Sequence, residues 1–272
     1  MPAPSLIQTH LSLPVDFVRA MDLDKASLDV EARYKRCAVP WKPHLERTRA
    51  VIMRSAHLAK NRRKAVLFGA GLLHDIPLAE LSDLFQTVVL VDVVHSRSCH
   101  LQASLFPNVS CLQADVTGTA SFLIRARKTG APLPRLELDL FKDDESVDLT
   151  VSVNLLSQLG CAPAEFLRTS HPPGEIRAFQ RHLIESHLTY LRQRSGHSAL
   201  ITDVAWSRRP AQPPQAPPTE RREVLHQVPL PPPAEAWDWL IAPAPESDPH
   251  QDLIAHVAAY PDWKESNRIL PG

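Results

Sequence analysis

The chain has 272 residues, of which 44% are hydrophobic and 22% charged, and its 30 basic side chains balance its 30 acidic ones. This composition is ordinary for a globular protein that buries a core, and the length suits one large domain with additions. A net charge of zero offers no basic surface to nucleic acid, which disfavours nucleic acid as a partner.

The cysteines and the absence of targeting signals predict a cytoplasmic protein. The four cysteines, Cys37, Cys99, Cys111 and Cys161, have no CxxC spacing, which disfavours both a structural zinc site and a disulfide framework. The N-terminus lacks the pattern of a signal peptide, and no run of about 18 apolar residues predicts a membrane span. We therefore expect free thiols, no bound metal and no contact with a membrane.

The N-terminal part of the chain predicts helices. Residues 1–30 are weakly patterned, whereas residues 28–61 have apolar side chains at helical spacing. Pro40 and Pro43 interrupt this spacing, because the residue before a proline is disfavoured in a helix. One helix is therefore predicted to end before Pro40 and a second one to begin near Pro43.

A glycine turn follows the first predicted strand. The apolar run 65–68 leads into Gly69-Ala70-Gly71, and the apolar run 87–91 ends in Asp92. Glycine lets the backbone approach a ligand closely, and an acid about 20 residues further on is placed to bind ribose hydroxyls. The pattern is typical of nucleotide binding in a doubly wound fold.

Strands and helices alternate through the rest of the chain, which predicts a mostly parallel sheet. A loop is predicted over 160–174, a long helix over 176–194, and a proline-rich loop or spacer over 208–233. Two final strands are predicted to pair in the antiparallel sense. The predicted strands cover residues 65–68, 87–91, 109–113, 147–154, 199–204, 236–241 and 253–260.

Four sequence segments resemble motifs of the class I S-adenosylmethionine-dependent methyltransferases. They are Val66–Gly71 (the glycine turn), Val91-Asp92, Gln113–Val116 and Asp148–Leu159, and the resemblance extends from Lys64 to Asp262. It implies an α/β fold with a doubly wound, mostly parallel seven-stranded sheet. It also implies a helical lid at residues 1–62 and a Rossmann-like domain at 63–272, with the proline-rich insertion at 208–233.

The resemblance also implies which residues bind the cofactor S-adenosyl-L-methionine. The glycine turn would pass close to the methionine part, Asp92 would bind the ribose, and Asp115 would accept a hydrogen bond from the adenine amino group. The glycine motif diverges, because Leu73 stands where the family has a third glycine. The expected cofactor-binding residues are Gly69, Ala70, Gly71, Asp92, Val93, Asp115, Val116, Asn154 and Leu155.

The methyl acceptor is expected between the lid and the carboxyl edge of the sheet. His44 and Asp203 are the candidate bases for an amine or hydroxyl acceptor. His74-Asp75 resembles part of a metal hydrolase site, but no companion ligand motif accompanies it, so no metal is expected. The expected substrate-binding residues are Tyr34, Arg36, Trp41, His74 and Gln158.

The function predicted from these features is S-adenosylmethionine-dependent methyl transfer to a small-molecule or protein acceptor. Asn154 is followed by leucine, not by the Pro-Pro-Tyr that the family uses on nucleobase amines, which disfavours DNA as the acceptor. One alternative is an inactive methyltransferase-like scaffold whose proline-rich segment binds a protein partner. The other is an NAD(P)-dependent oxidoreductase, disfavoured because His74 occupies the third glycine position of its motif.

Overall fold

The computed structural model describes residues 15–212 and 216–266. None of the helices in these two ranges is both long enough and apolar enough to cross a membrane. The helices are α1 (Val15–Ala20), α2 (Leu23–Leu58), α3 (Leu78–Leu84), α4 (Arg97–Ala103), α5 (Ala120–Thr129), α6 (Cys161–Leu167), α7 (Pro173–Gln193) and α8 (Trp263–Ser266). The strands are β1 (Lys64–Phe68), β2 (Thr87–Asp92), β3 (Val109–Gln113), β4 (Val147–Val153), β5 (His197–Pro210), β6 (Glu220–Glu223), β7 (Glu235–Ala242) and β8 (Gln251–Tyr260).

One sheet forms the centre of the protein. Its order is β3-β2-β1-β4-β5-β8-β7, and the short strand β6 pairs with β5 beside this path. Strands β1 to β5 run parallel, whereas β8 pairs in the antiparallel sense with both β5 and β7. The predicted α/β fold, with five parallel strands and a terminal antiparallel pair, is confirmed. The parallel register brings the carboxyl ends of β1, β2, β3 and β4 to one edge, where α/β folds bind ligands.

The central strands are buried on both faces, as their unbroken apolar sequences predict. Alternate residues of β1 enter two different cores. Val66 and Phe68 pack in the core that contains residues of α5 and α7, whereas Ala65 and Leu67 pack in the core that contains residues of α2, α3 and α4. The sheet is therefore covered on both sides, which makes the fold doubly wound.

The sequence predicts that a helix ends before Pro40, but α2 continues through this proline and has a kink at Cys37 instead. Cys37 has non-helical backbone angles, with φ −109° and ψ 20°, and helical geometry resumes before Pro40. The ring of a proline excludes the carbonyl four residues earlier, here that of Arg36, so the distortion falls ahead of Pro40. The segment after the kink packs on β7 and on the sheet. The division into a lid and a domain at residue 62 stays a prediction.

Two segments that the sequence predicts as loops contain regular structure. Residues 161–167 form α6, with Pro163 in its first turn, where proline is tolerated because no helical N–H is lost. The proline-rich segment begins inside β5 and contains β6, so the prediction of a spacer over all of 208–233 is wrong. Further along, the Tyr260 hydroxyl donates to the Pro231 carbonyl at 2.8 Å. A partner-binding role for this segment and the cytoplasmic location stay predictions.

Gly69→Ala should cost far more stability than the same change at Gly130. Both glycines have positive φ, +82° and +67°, but an added Cβ at Gly69 would lie 2.3 Å from the Val153 carbonyl oxygen, whereas at Gly130 nothing lies within 4 Å. We expect Gly130→Ala to lose about 1 kcal/mol of unfolding free energy and Gly69→Ala about 3 kcal/mol. Urea denaturation of both variants measures the difference, and equal losses would contradict the contact.

Candidate functional site

A cavity of about 290 Å³ lies at the carboxyl edge of the sheet. Its base is formed by the residues that follow β1, β2, β3 and β4. Phe17, in α1, and Met21, directly after α1, also line the cavity, and Trp41 and Trp239 form one wall. The lining is mostly apolar, with a few polar side chains, as is usual for small-molecule sites.

Both glycines of the turn at the end of β1 are required, because neither position has room for a side chain. The Gly69 N–H donates to the Val91 carbonyl at 3.0 Å, which joins the turn to β2. A Cβ at Gly71 would lie 2.4 Å from the Val94 carbonyl oxygen and 2.9 Å from the Asp92 carboxyl. Both glycines line the cavity, whereas Ala70 between them is fully buried and lies outside the lining. The turn therefore presents backbone rather than side chains to a ligand.

Leu73 retains the backbone conformation for which a glycine would be expected. Its φ is 60°, in the left-handed region that few residues other than glycine adopt. Its side chain is 5% exposed and packs in the core beneath the turn, so burial of the leucine offsets the backbone strain. Helix α3 begins only at Leu78, so no helix N-terminus adjoins the glycines.

Asp92 is held at the tip of β2 by backbone donors. Its Oδ2 accepts from the Gly71 N–H at 2.8 Å, and its Oδ1 accepts from the Val94 N–H at 3.4 Å. Burial raises the pKa of the Asp92 carboxyl to about 6, although these hydrogen bonds oppose the rise. Val93 lines the cavity beside it. A carboxylate so placed has lone pairs left for a ligand's hydroxyl groups.

Asp115 has a local structural role that is visible in its hydrogen bonds. One carboxylate oxygen accepts from the Thr117 N–H at 2.8 Å and from the Thr117 hydroxyl at 2.6 Å. The other accepts from the N–H of Ala120, the first residue of α5, at 2.8 Å. Asp115 and Val116 both line the cavity. The acid thus orders the start of α5 and still faces a ligand.

Asn154 follows β4 in a strained backbone conformation. Its φ is 49°, and its N–H donates to the Ile201 carbonyl at 2.8 Å. The side-chain Nδ2 donates to the Asp75 carboxyl at 2.7 Å and lies 3.2 Å from Nε2 of His44. Its Oδ1 is buried and has no hydrogen-bond partner among the described residues. A buried oxygen without a partner is costly and is a candidate contact for a ligand.

His44 is enclosed by two tryptophans. The indole N–H of Trp237 donates to Nδ1 of His44 at 3.1 Å, and the rings of His44 and Trp239 stack at 3.9 Å, nearly parallel. Burial lowers the pKa of His44 to about 3, so the ring is neutral near pH 7. Because Nδ1 accepts this hydrogen bond, the proton of the neutral ring is on Nε2. His44 would act as a base only by giving up the bond from Trp237, so that role stays a prediction.

No protein-family model matches the chain, and no curated protein is similar to it. Among solved structures, ErmE, a 23S rRNA methyltransferase, is 12% identical over 82% of this chain and 71% of its own, with a TM-score of 0.32. The DhpI–SAM–HEP complex is 14% identical over 92% and 100% of the two chains, with a TM-score of 0.35.

A third similar structure is the 1,6-didemethyltoxoflavin-N1-methyltransferase of Burkholderia thailandensis, with 1,6-didemethyltoxoflavin and S-adenosylhomocysteine bound. It is 12% identical over 95% of this chain and 92% of its own, with a TM-score of 0.35. Likenesses with identities of 12–14% and TM-scores of 0.32–0.35 assign no activity to this chain. The order of this sheet, five parallel strands followed by an antiparallel pair, is the arrangement that the sequence resemblance implies. The chain has a doubly wound α/β fold with a class I methyltransferase-like sheet.

Most of the predicted site residues meet in this one cavity. Of the predicted substrate-binding residues, Trp41, His74 and Gln158 line it, and so does the predicted base His44. The predicted cofactor residues that line it are Gly69, Gly71, Asp92, Val93, Asp115, Val116, Asn154 and Leu155. Their roles stay predictions, since shared position alone does not assign them.

Four predicted residues lie outside the lining, namely the buried Ala70 between the two glycines, Tyr34, Arg36 and Asp203. Tyr34 stacks on the His74 ring at 3.7 Å, behind it. Arg36 is exposed and forms a bidentate ion pair with Glu246. Asp203 is buried, and its carboxylate accepts from the Ser157 hydroxyl and the Trp206 indole. Arg36 and Asp203 would therefore need to exchange these partners before they could contact a substrate.

The structure adds residues that the sequence reasoning did not place in the site. Trp239, Phe17 of α1 and Met21, which follows α1, all line the cavity. A signal existed for Trp239, since it lies on a predicted strand with two tryptophans. Alternation along a strand does not say which face reaches a cavity, so the signal did not suffice.

Asp75→Asn tests whether Asp75 is a carboxyl destabilised by burial. Burial raises its pKa above the usual value, and such a group lowers stability as the pH rises from its unfolded pKa through its folded one. The neutral amide has no such dependence. The unfolding free energy of Asp75→Asn minus that of the native protein should therefore increase between about pH 4 and about pH 8.

Denaturant titrations at the two pH values measure this difference. Asp83→Asn, on the exposed side of α3, is the matched control and should show a difference that is nearly independent of pH. A difference for Asp75→Asn that is also independent of pH would contradict the assignment.

Proposed function

We propose that this protein is a methyltransferase that binds S-adenosyl-L-methionine in the cavity and methylates a small molecule. One observation carries the proposal: the glycine turn, Asp92 and Asp115, at the ends of three adjacent strands, all line the same cavity. Gly69 and Gly71 would lie along the methionine part of the cofactor, Asp92 would bind the ribose and Asp115 the adenine. The cofactor supplies a methyl group activated on a sulfonium.

The cavity fits such a cofactor better than a dinucleotide. In a dinucleotide site the pyrophosphate binds at the N-terminus of the helix that directly follows the glycine turn. Here α3 begins seven residues after Gly71, so this positive helix end is displaced from the turn. S-adenosylmethionine has no phosphate and needs no such helix end. This arrangement argues against the oxidoreductase alternative.

The lining also favours a small acceptor that is partly aromatic or apolar. The cavity of about 290 Å³ is at the lower end for a small-molecule site, and the cofactor would occupy part of it, which leaves little room for a bulky acceptor. Trp41 and Trp239 meet edge to face at 4.9 Å and offer an aromatic wall. A protein acceptor remains an alternative.

Three buried polar atoms of the lining support recognition of the acceptor through hydrogen bonds. Nε2 of His74, Oδ1 of Asn154 and Nε1 of Trp239 have no partner among the residues the structure describes. The Trp239 indole donates and the Asn154 oxygen accepts. Together they suit a planar acceptor that carries both a donor and an acceptor group, and they would hold it close to the reacting methyl, at about 3–3.5 Å.

His44 is poorly suited to removing a proton from the acceptor. Its Nδ1 lone pair already accepts from Trp237, and burial lowers its pKa to about 3. We therefore expect an acceptor atom that needs no base from the protein, such as the nitrogen of a neutral amine or the sulfur of a thiolate.

Calorimetric titration of the purified protein tests cofactor binding. We expect micromolar binding of S-adenosylmethionine and S-adenosylhomocysteine and none of NAD. Asp92→Ala should weaken binding at least about tenfold, because hydrogen bonds to a charged group are worth about 1.5–3 kcal/mol. Asp83→Ala, exposed on α3, is the matched control. Failure to bind either sulfur compound would refute the proposal, and binding of NAD alone would favour an oxidoreductase.

Binding of S-adenosylhomocysteine should weaken as the pH falls below about 6, where Asp92 becomes protonated. Protonation removes the charged acceptor of the ribose hydroxyls, and the ligand itself has no group that titrates there. Asp92→Asn should bind more weakly with little dependence on pH. Titrations with a chelator present, from about pH 5 to about pH 8, measure the profile. The same profile in both proteins would show that another group is responsible.

The scaffold alternative shares the binding site but not the chemistry. It predicts cofactor binding without transfer, whatever acceptor is supplied. A screen of small amines, thiols and heteroaromatic compounds with methyl-labelled cofactor distinguishes the two, because only an enzyme releases S-adenosylhomocysteine in step with a labelled product. Binding with no product across the screen would favour the scaffold.

A further inference from the structure

Three side chains with soft ligand atoms converge beneath the glycine turn, on the side away from the cavity. His95 lies in the connection between β2 and α4, Cys99 in the first turn of α4, and Cys111 on β3. One ring nitrogen and the two sulfurs all lie within 4.8 Å of one another. No residue in this cluster belongs to the proposed cofactor set.

His95 is oriented as a metal ligand would be. Its Nε2 lies 3.1 Å from the Leu90 carbonyl oxygen, which only accepts, so Nε2 carries the ring proton. The other nitrogen, Nδ1, therefore has a free lone pair, and it is buried without a hydrogen-bond partner among the described residues. Metal-binding histidines commonly donate their second nitrogen to a backbone carbonyl in this way.

The two sulfurs have the separation of thiolates that share one zinc ion. Cys99 Sγ and Cys111 Sγ are 3.8 Å apart. Two bonds of about 2.3 Å at a tetrahedral angle place sulfurs about 3.8 Å apart. A disulfide would require the sulfurs to approach to about 2.05 Å and would leave the unpartnered nitrogen of His95 unexplained.

The charges also balance for a divalent ion. A cysteine thiol ordinarily has a pKa of about 8.5, so near pH 7 Cys99 and Cys111 are neutral thiols when no metal is bound. A metal replaces their protons, because the bound form is the thiolate. Two thiolates and a neutral histidine around Zn²⁺ have no net charge, which limits the cost of placing the ion below the protein surface.

We propose that His95, Cys99 and Cys111 bind one Zn²⁺ ion, with the fourth position taken by water or by His100. The His100 ring lies 5.7 Å from that of His95. Each ion forms one bond to Nδ1 and two to sulfur, and two protons pass from the thiols to the solvent. The site is separate from the proposed cofactor site, since none of its ligands lines the cavity.

Metal titration of the reduced, full-length protein tests the site. We expect one Co²⁺ per chain, with a thiolate-to-cobalt charge-transfer band and the intense visible bands of tetrahedral cobalt. Stoichiometric Zn²⁺ should displace the cobalt, and Zn²⁺ added to the metal-free protein should release two protons per ion in weakly buffered solution. Zinc should also protect Cys99 and Cys111 from alkylation, which peptide mapping by mass spectrometry detects without any variant.

Variants locate the ligands and provide the controls. Cys111→Ser and His95→Gln should each weaken zinc binding at least about tenfold, because each removes a direct ligand. Cys161→Ser, which removes an exposed cysteine, should bind zinc as the native protein does. Circular dichroism shows whether each variant is folded. If a variant is unfolded, the protection of the native protein's cysteines from alkylation by zinc tests the site in its place.

Three outcomes would overturn the proposal. They are the absence of a charge-transfer band at one equivalent of cobalt, equal zinc affinity in Cys111→Ser and the native protein, and a disulfide between Cys99 and Cys111 that persists when zinc is present. None of these readouts depends on S-adenosylmethionine. Zinc binding without cofactor binding would thus refute the proposed function and leave the metal site standing.

Discussion

The hydrogen bond from the Gly71 N–H to the Asp92 carboxylate is the constraint on which the site depends. It joins the turn after β1 to the tip of β2. It requires glycine at position 71, because a Cβ there would lie 2.9 Å from that carboxyl group. Gly69 is constrained in the same way by the Val153 carbonyl of β4. Three strand ends thus meet at a turn without side chains, which leaves room for the cavity above.

Burial disfavours charge on several of the groups that line the cavity. Burial keeps His44 unprotonated and raises the pKa values of Asp75 and Asp92. A ligand that supplies donors and acceptors to these groups recovers hydrogen bonds that the protein alone cannot make. Electrostatic contacts in such surroundings are stronger than in water, so specificity can come from few polar atoms.

The sequence predicts local features well and non-local ones poorly. The strands, the glycine turn and Asp92 follow from apolar runs and spacing within one unit of the chain. Leu73 was identified as a departure, but only the fold shows that burial of its side chain supports a left-handed backbone. The contact of Trp239 with His44 and the convergence of Cys99 with Cys111 join different elements. Spacing along the chain contains no trace of them.

The peptide unit between Ala70 and Gly71 links the cofactor acid to the cysteine cluster. Its N–H donates to Asp92, and its carbonyl accepts from the Cys99 thiol at 3.7 Å. Zinc would remove the thiol proton and with it this second bond, so the ion would act on the peptide that orients Asp92. Any change in cofactor affinity caused by zinc must be matched by an equal change in zinc affinity caused by the cofactor. The two sites, although separate in chemistry, would then share one element of backbone.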